Sequence, residues 1–260
     1  MISPLAYVDP EAKIGENVTI HPFAFIDKDV EIGDGCEIKP YASILRGARL
    51  GKKVKVYQGA VISASPQDFR YKTDEKTYCH IGDEVSIREQ VIINRGIRPG
   101  IGTNIGPETY VMAQTHIAHD TNIKGRSIIG NSVQIAGDVE VDEYCILSHS
   151  VILNEETKIG RYVFVKGGCR INGNVPPYAI MAHNPVEYGG VNAFALRYMK
   201  QPETVIDNIA KAYRHIYGSG TSVRNGIKRI LADIPQCTER DNIVEFIKQH
   251  DCKIVAHENK

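Results

Sequence analysis

No two of the six cysteines, Cys36, Cys79, Cys145, Cys169, Cys237 and Cys252, form a Cys-x-x-Cys pair, and none joins a short-spaced Cys/His set. That scatter supports neither a disulfide framework nor a structural zinc site, and reduced thiols in a cytosolic protein are the simplest account. Charge of one sign is not in excess either: Lys plus Arg number 31 and Asp plus Glu 31. Nothing in that balance calls for nucleic acid or an anionic membrane surface as a partner. Apolar runs of about 18 residues are missing, and Met1-Ile2-Ser3-Pro4 lacks the basic and apolar regions of a secretory leader. A soluble, cytoplasmic protein without stable membrane insertion is therefore expected. At 260 residues the chain has room for one large domain and a small appendage.

What is present is a period of six. Aliphatic residues stand at Ile2, Val8, Ile14, Ile20, Ile26, Ile32, Ile38, Ile44, Leu50, Val56 and Ile62. After a break the series resumes at Ile81, Ile87 and Ile93, and then runs from Ile105 through Val111, Ile117, Ile123, Ile129, Ile135, Val141, Leu147, Leu153, Ile159 and Val165 to Ile171. Period six is neither helical nor that of a simple strand. It suits a short strand followed by a turn, repeated as the sides of a prism, with one side chain per side pointing to the axis. An ordinary antiparallel sandwich would not keep one six-residue register over so many successive markers. Residues two before the markers, such as Ala24, Cys36, Ala42, Ala48, Ala60, Val133, Val139 and Cys145, should also face inward by strand alternation. Ile-Gly pairs at Ile14-Gly15, Ile32-Gly33, Ile81-Gly82, Ile105-Gly106 and Ile159-Gly160 are expected to put glycine at corners that need positive φ.

The pattern is that of the hexapeptide repeat, and the resemblance implies a left-handed parallel β-helix with about 18 residues per coil and roughly nine coils. The left hand comes from that resemblance, since general crossover preferences predict the opposite. Two interruptions are expected to loop out, 65–79 and 94–104, the second around Pro99. The β-helix should occupy residues 1–190. From 191 to 260 helical spacing takes over: Val205, Ile209, Tyr213 and Ile216 share one face, Ile227, Ile230, Leu231 and Ile234 a second, and Ile243, Phe246 and Ile247 a third. Pro202-Glu203 should start the first of these helices and Gly218-Ser219-Gly220 stop it. Residues 191–235 carry seven basic against three acidic side chains, which suits an acidic docking partner as well as a solvated helix face.

The chemistry-bearing stretch is Thr115-His116-Ile117-Ala118-His119-Asp120. With Ile117 inward, His116 faces out, and His119 lies at or near a corner, outside the prism. Adding 18 to 119 gives Gly137, stacked one coil above at roughly 4.8 Å. His119 is then a candidate general base whose tautomer Asp120 fixes, and the Gly137 N–H a candidate oxyanion donor when a hydroxyl attacks a thioester. The plainer reading makes both histidines polar corner residues.

An ordered set of motifs reaches nearly the whole chain: Ile2-Ser3-Pro4-Leu5-Ala6, Pro66-Gln67-Asp68-Phe69-Arg70-Tyr71, Ile87 to Gly96, His116 to Asp120, Ala136-Gly137, Gly167-Gly168-Cys169, Val175-Pro176-Pro177-Tyr178, Gly190-Val191-Asn192 and Ala212 to Tyr217. Together they resemble the acyl-[acyl-carrier-protein]:UDP-N-acetylglucosamine O-acyltransferases, which begin lipid A synthesis. The resemblance implies a homotrimer with active sites between neighbouring prisms, and no cofactor and no metal. His119 would be the base, Asp120 its partner and Gly137 the oxyanion contact. Asp68 and His116 would touch the sugar, Arg70, where the family usually has lysine, a phosphate, and Gly168 would stand at the acyl-length ruler, where glycine favours a long 3-hydroxyacyl chain.

The chain departs from the family pattern at Asp138, which follows the oxyanion glycine where histidine is frequent, and at Asn154-Glu155 in place of His-Gln. After Asn192 the family's arginine cluster becomes Ala195-Leu196-Arg197-Tyr198-Met199. These positions are expected to meet nucleotide, phosphates or carrier protein, and fewer cations there would weaken diphosphate binding. Two further readings follow. One is a catalytically weak paralogue that binds nucleotide sugar or carrier protein. The other is a metal-dependent hydratase on the same fold, with His80, His116 and His119 as ligands.

Overall fold

A computed structural model describes residues 1–256 apart from 74 and 219, so Asp74 of the first loop, Ser219 of the expected helix stop and residues 257–260 lie outside the described residues. Short strands recur along the first 191 residues and stack into three sheets of nine, eight and ten strands. Each coil gives one strand to each sheet, and uninterrupted coils register residue i on i+18: His116 lies on Gln134 and Gln134 on Ile152, while Tyr110 lies on Ile128 and Ile128 on Ile146. All pairings are parallel except the last, where Glu187–Val191 runs antiparallel to Ala179–Ala182. The architecture is a left-handed parallel β-helix followed by small C-terminal helices.

The six-residue markers fill the axis. Ile20, Ile26, Ile38, Ile44, Ile62, Ile87, Ile93, Val111, Ile117 and Ile129 are fully buried. Each such side chain contributes about 1.5–3 kcal/mol. The residues two before them are buried as well, from Ala24 and Cys36 to Val139 and Cys145. Ile2 is half exposed, because no coil covers its outer side among the described residues.

The expected role of the Ile-Gly glycines is corrected. Left-handed backbone occurs three residues past the markers, at Asn17, Phe23, Asp29, Tyr41, Asp120, Asp138 and Tyr162 among others, and mostly without glycine. The glycine directly after a marker sits where coils touch. A Cβ on Gly33 would lie 2.5 Å from the Gly51 carbonyl oxygen, and one on Gly82 2.7 Å from the Pro107 nitrogen. Close stacking of coils, not a positive φ, excludes a side chain there.

Strand Val61–Ala64 is followed by a loop over 65–78 before Cys79–Ile81, and Ile92–Asn94 by a loop over 95–102 before Thr103–Ile105. In both cases the chain leaves the nine-stranded sheet and enters the eight-stranded one. Both loops therefore spring from one edge of the prism. His119 lies on that same edge, between His116–Ile117 of the nine-stranded sheet and Asn122–Ile123 of the eight-stranded sheet.

Four helices follow: α1 (Ala193–Tyr198), α2 (Glu203–Tyr217), α3 (Val223–Asp233) and α4 (Thr238–Gln249). α1 has no counterpart in the sequence reading. Pro202 caps the start of α2 and Gly218 its end, as the turn residues predict. The buried face of α2 is Ile206, Ile209, Ala212, Tyr213 and Ile216, with Val205 only partly covered, and Leu231 of α3 is exposed where burial was expected. The helices seal the last coil: the Tyr213 hydroxyl donates to the Pro177 carbonyl, and Asn242 Nδ2 donates to the Tyr178 hydroxyl at 2.8 Å. No helix among the described residues is long and apolar enough to cross a membrane.

Candidate active site

His119 and Asp120 form the turn at the looped edge, with Asp120 at φ 54°. That turn swings the two side chains off the strand and toward each other, so His119 Nδ1 lies 3.0 Å from Asp120 Oδ2. The same Oδ2 accepts the Ile97 N–H at 3.0 Å, and the Asp120 N–H donates to Thr103 Oγ1 at 2.9 Å. The second loop thus holds the carboxylate while the carboxylate holds the ring. Asp120 as hydrogen-bond acceptor puts the proton on Nδ1 and leaves the Nε2 lone pair available. Nε2 faces Asp68 Oδ2 at 3.3 Å, a residue delivered by the first loop.

The dyad lies outside the prism axis, as the register implies, but it is not open to solvent. His119 and Asp120 are both only 6% exposed. Loop 65–78 brings Asp68 over one side and loop 95–102 brings Ile97 over the other, which the sequence reading did not foresee. Gly137 completes the enclosure from the coil above. A Cβ there would lie 2.5 Å from His119 Cε1 and 2.7 Å from Nε2, so only glycine lets the ring stand where it does. The buried Gly137 N–H donates to no group among the described residues.

Electrostatics keep the two carboxylates that flank the His119 ring ionised. Burial is the largest influence on Asp120 and pushes its pKa up, yet the hydrogen bonds from His119 and the Ile97 N–H, with the Arg98 charge, hold it below the usual carboxylate range. Hydrogen bonds from the Arg70 side chain and backbone hold Asp68 well below that range. Burial lowers His116 below the ordinary imidazole value, and its Nε2 lies 2.7 Å from Asn94 Oδ1.

Several other expected residues gather here. Arg70 forks onto Asp68, with Nε to Oδ1 at 3.0 Å and Nη2 to Oδ2 at 2.7 Å, and Nη2 also reaches Glu155 Oε1 at 3.0 Å. Because Glu155 is two coils above His119 (119 + 36 = 155), this bridge straps the first loop across the Gly137 step. Asn154 Oδ1 accepts from Arg170 Nε at 3.2 Å. His116, Gln134, Ile152, Asn154, Glu155 and Arg170 line an open groove of about 510 Å³ running up the nine-stranded face from the dyad.

Of the others, Asp138 meets the dyad only through its backbone and Arg98, and the rest lie away from it within this chain. Asp138 Oδ1 is taken by Arg98 Nη2. Asn192 is spent on structure: its Oδ1 caps the Ala195 N–H at 3.2 Å and its Nδ2 donates to the Tyr162 carbonyl at 2.8 Å. Arg197 on α1 is exposed and forks onto Glu203, at 2.7 and 3.0 Å. Gly168, with φ 75°, sits exposed at the opposite edge of the nine-stranded face. The hydratase reading loses its ligand set. His80 belongs to the eight-stranded sheet and His116 to the nine-stranded one, and no group of three His, Cys, Asp or Glu suited to a metal occurs among the described residues.

Residues the sequence reading passed over include Arg98, Thr103 and Arg95. Arg95 is buried, donating to the Ser63 carbonyl at 2.8 Å and the Tyr71 hydroxyl at 2.7 Å, and so ties the two loops together. A signal existed: Ile62, Ile93 and Ile117 occupy the same place in successive coils, so both loops had to emerge beneath His119.

The family profile described as UDP-N-acetylglucosamine O-acyltransferase, domain 2, matches residues 174–255, and a profile described as GMPPB C-terminal domain matches residues 2–98, within the repeats. An acyl-[acyl-carrier-protein]--UDP-N-acetylglucosamine O-acyltransferase from Halorhodospira halophila is 37% identical over 95% of this chain and 95% of its own. One from Syntrophobacter fumaroxidans is 34% identical over 95% of this chain and 96% of its own. A UDP-N-acetylglucosamine acyltransferase from Bacteroides fragilis superposes over 100% of both chains with a TM-score of 0.94 and 40% identity. That of Acinetobacter baumannii covers 98% of this chain and 99% of its own at a TM-score of 0.90 and 29% identity. With its hexad coils, its C-terminal helices and the His119 corner in place, the chain belongs to the acyl-[acyl-carrier-protein]--UDP-N-acetylglucosamine O-acyltransferase family and is an acyltransferase.

Proposed function

We propose that the chain transfers a 3-hydroxyacyl group from acyl carrier protein to the 3-hydroxyl of UDP-N-acetylglucosamine, the first step of lipid A synthesis, with the β-helix of residues 1–190 carrying the chemistry. The observation that carries this reading is the His119–Asp120 pair with Nε2 unpaired by Asp120 and enclosed beneath Gly137. Nε2 takes the proton of the sugar hydroxyl as its oxygen attacks the thioester carbonyl. The oxyanion of the tetrahedral intermediate is met by the Gly137 N–H. Collapse breaks the C–S bond, and the Nε2 proton goes to the leaving thiolate. Asp120 keeps the tautomer and steadies the imidazolium throughout. No covalent intermediate and no cofactor are required.

Asp68, which faces Nε2, binds the sugar nucleotide together with His116 and Arg70, Arg70 exchanging a carboxylate partner for a phosphate. The groove above the dyad takes the acyl chain toward Asn154 and Glu155. Gly168, Asn192 and Arg197 lie away from this corner in one chain, and they join the site in a homotrimer whose neighbouring prisms face each other. The basic part of the helical segment, residues 191–260, docks the acidic carrier protein, and the reaction runs in the cytoplasm. Purified protein given UDP-N-acetylglucosamine and a mixture of 3-hydroxyacyl carrier proteins should form an O-acylated UDP-sugar, identified by mass spectrometry, with one chain length dominant. Binding of the nucleotide sugar without any acylated product would replace this reading with that of a catalytically weak paralogue.

A further inference from the structure

Asp120 has one oxygen that its known partners do not explain. Oδ2 accepts from His119 and Ile97, whereas Oδ1 is buried with no hydrogen-bond partner among the described residues. A buried anionic oxygen left that way costs free energy unless a cation compensates it. The cation at hand is Arg98, with Nε 3.7 Å from Oδ1. Its other end, Nη2, contacts Asp138 Oδ1, and the Asp138 N–H donates to the His119 carbonyl at 3.2 Å. The loop packs closely here: a Cβ on Gly96 would lie 2.8 Å from Asp120 Oδ1.

We propose that Arg98, anchored by Asp138, is a positioning residue of the acyl transfer: it balances the free oxygen of Asp120, and Asp138 serves the dyad through Arg98 instead of contacting the sugar nucleotide. The pair links two coils and a loop around the ring. One carboxylate, Asp120, holds the imidazole; one guanidinium holds that carboxylate; a second carboxylate, one coil up, holds the guanidinium. An unpaired Asp138 next to a diphosphate would repel it, and Arg98 removes that repulsion. The remaining charged groups around His119 are paired among themselves. Asp68 is forked by Arg70, which also holds Glu155, and Lys158 reaches the Asp138 carbonyl at 3.2 Å and Glu140 at 2.7 Å. Arg98 and Asp138 are thus charges of opposite sign that single substitutions can remove without unpairing Asp68.

The inference rests on His119 being the base, and it gives opposite signs for two substitutions. Removing the cation (Arg98→Gln) stabilises the imidazolium, so the acid limb of kcat/KM against pH moves up. Removing the anion (Asp138→Asn) destabilises it, so the limb moves down. With Arg98 half exposed, each shift should be roughly 0.5–1 pH unit. The double variant should return close to wild type, and Arg98→Lys should keep the wild-type limb. Shifts in the same direction, or none, overturn the proposal. Circular dichroism of each variant separates these outcomes from misfolding, and Arg98→Lys carries the test if Arg98→Gln does not fold. His119→Ala run alongside separates the two levels: normal turnover in that variant removes the base assignment itself, while its inactivity together with unshifted Arg98 and Asp138 profiles removes only the positioning pair.

Discussion

Replacing Gly137 by alanine isolates the space above the base from every other property of that position. Its φ is outside the left-handed region, so alanine meets no backbone strain, and the N–H is retained. Only the new methyl matters, and it would stand 2.5 Å from His119 Cε1. An ordinary carbon–carbon contact is about 3.5–4.0 Å, so the ring must retreat by roughly 1 Å or more. His119 is closed in by Asp68 and Asp120 and cannot simply swing away. Overpacking of this kind costs about 1–3 kcal/mol, against which the loss of glycine's unfolded-state freedom returns about 0.4–1 kcal/mol. Stability should therefore fall by no more than about 2–3 kcal/mol, while a base misplaced by roughly 1 Å loses about a hundredfold in kcat. Urea unfolding and initial-rate transfer on the same preparation read both quantities. A Gly137→Ala protein with wild-type kcat would refute the reasoning, because the methyl would then have found room without moving the base.

Two more outcomes follow from the site. Asp120 has a folded pKa below its unfolded value, so the stability it contributes is present above about pH 3.9 and is lost as pH falls through the lower folded value. The gap in urea midpoint between wild type and Asp120→Asn should then close below about pH 4; a gap unchanged down to pH 2 would contradict the ionised assignment. Arg70→Ala should release the strap to Glu155 and loosen loop 65–78, read as faster amide exchange there, and unchanged exchange would contradict the strap.

The repeat was legible because burial along a prism axis repeats a single requirement: every sixth side chain must be apolar, and Ile117 or Ile135 shows it without help from neighbours. His119, Asp120 and Gly137 were legible for the same reason, since a fixed coil length turns sequence distance into stacking. What the register does not encode is anything carried by the loops. Asp68 reaches His119 across 51 positions (119 − 68) through a segment with no period, and Arg98 reaches Asp120 and Asp138 from another. Burial of the dyad and the pairing of Asp138 were hidden there. The glycines after the markers were misjudged because a local rule, positive φ at a turn, was applied where contact with the next coil decides. Asn192 and Arg197 stood in a segment whose helix, α1, is too short to show a period, so their capping and ion-pair roles were not visible.

The central claim is that Nε2 of His119, the nitrogen not engaged by Asp120, removes the acceptor proton. It is tested most directly by measuring the rate of acyl transfer from a 3-hydroxyacyl carrier protein to UDP-N-acetylglucosamine for wild type and His119→Ala, with the product identified by mass. A positioned general base is worth about 10²–10⁴ in rate, so the variant should lose at least a hundredfold in kcat while its circular dichroism is unchanged. A folded His119→Ala protein that turns over within about threefold of wild type, far inside that range, would contradict the account.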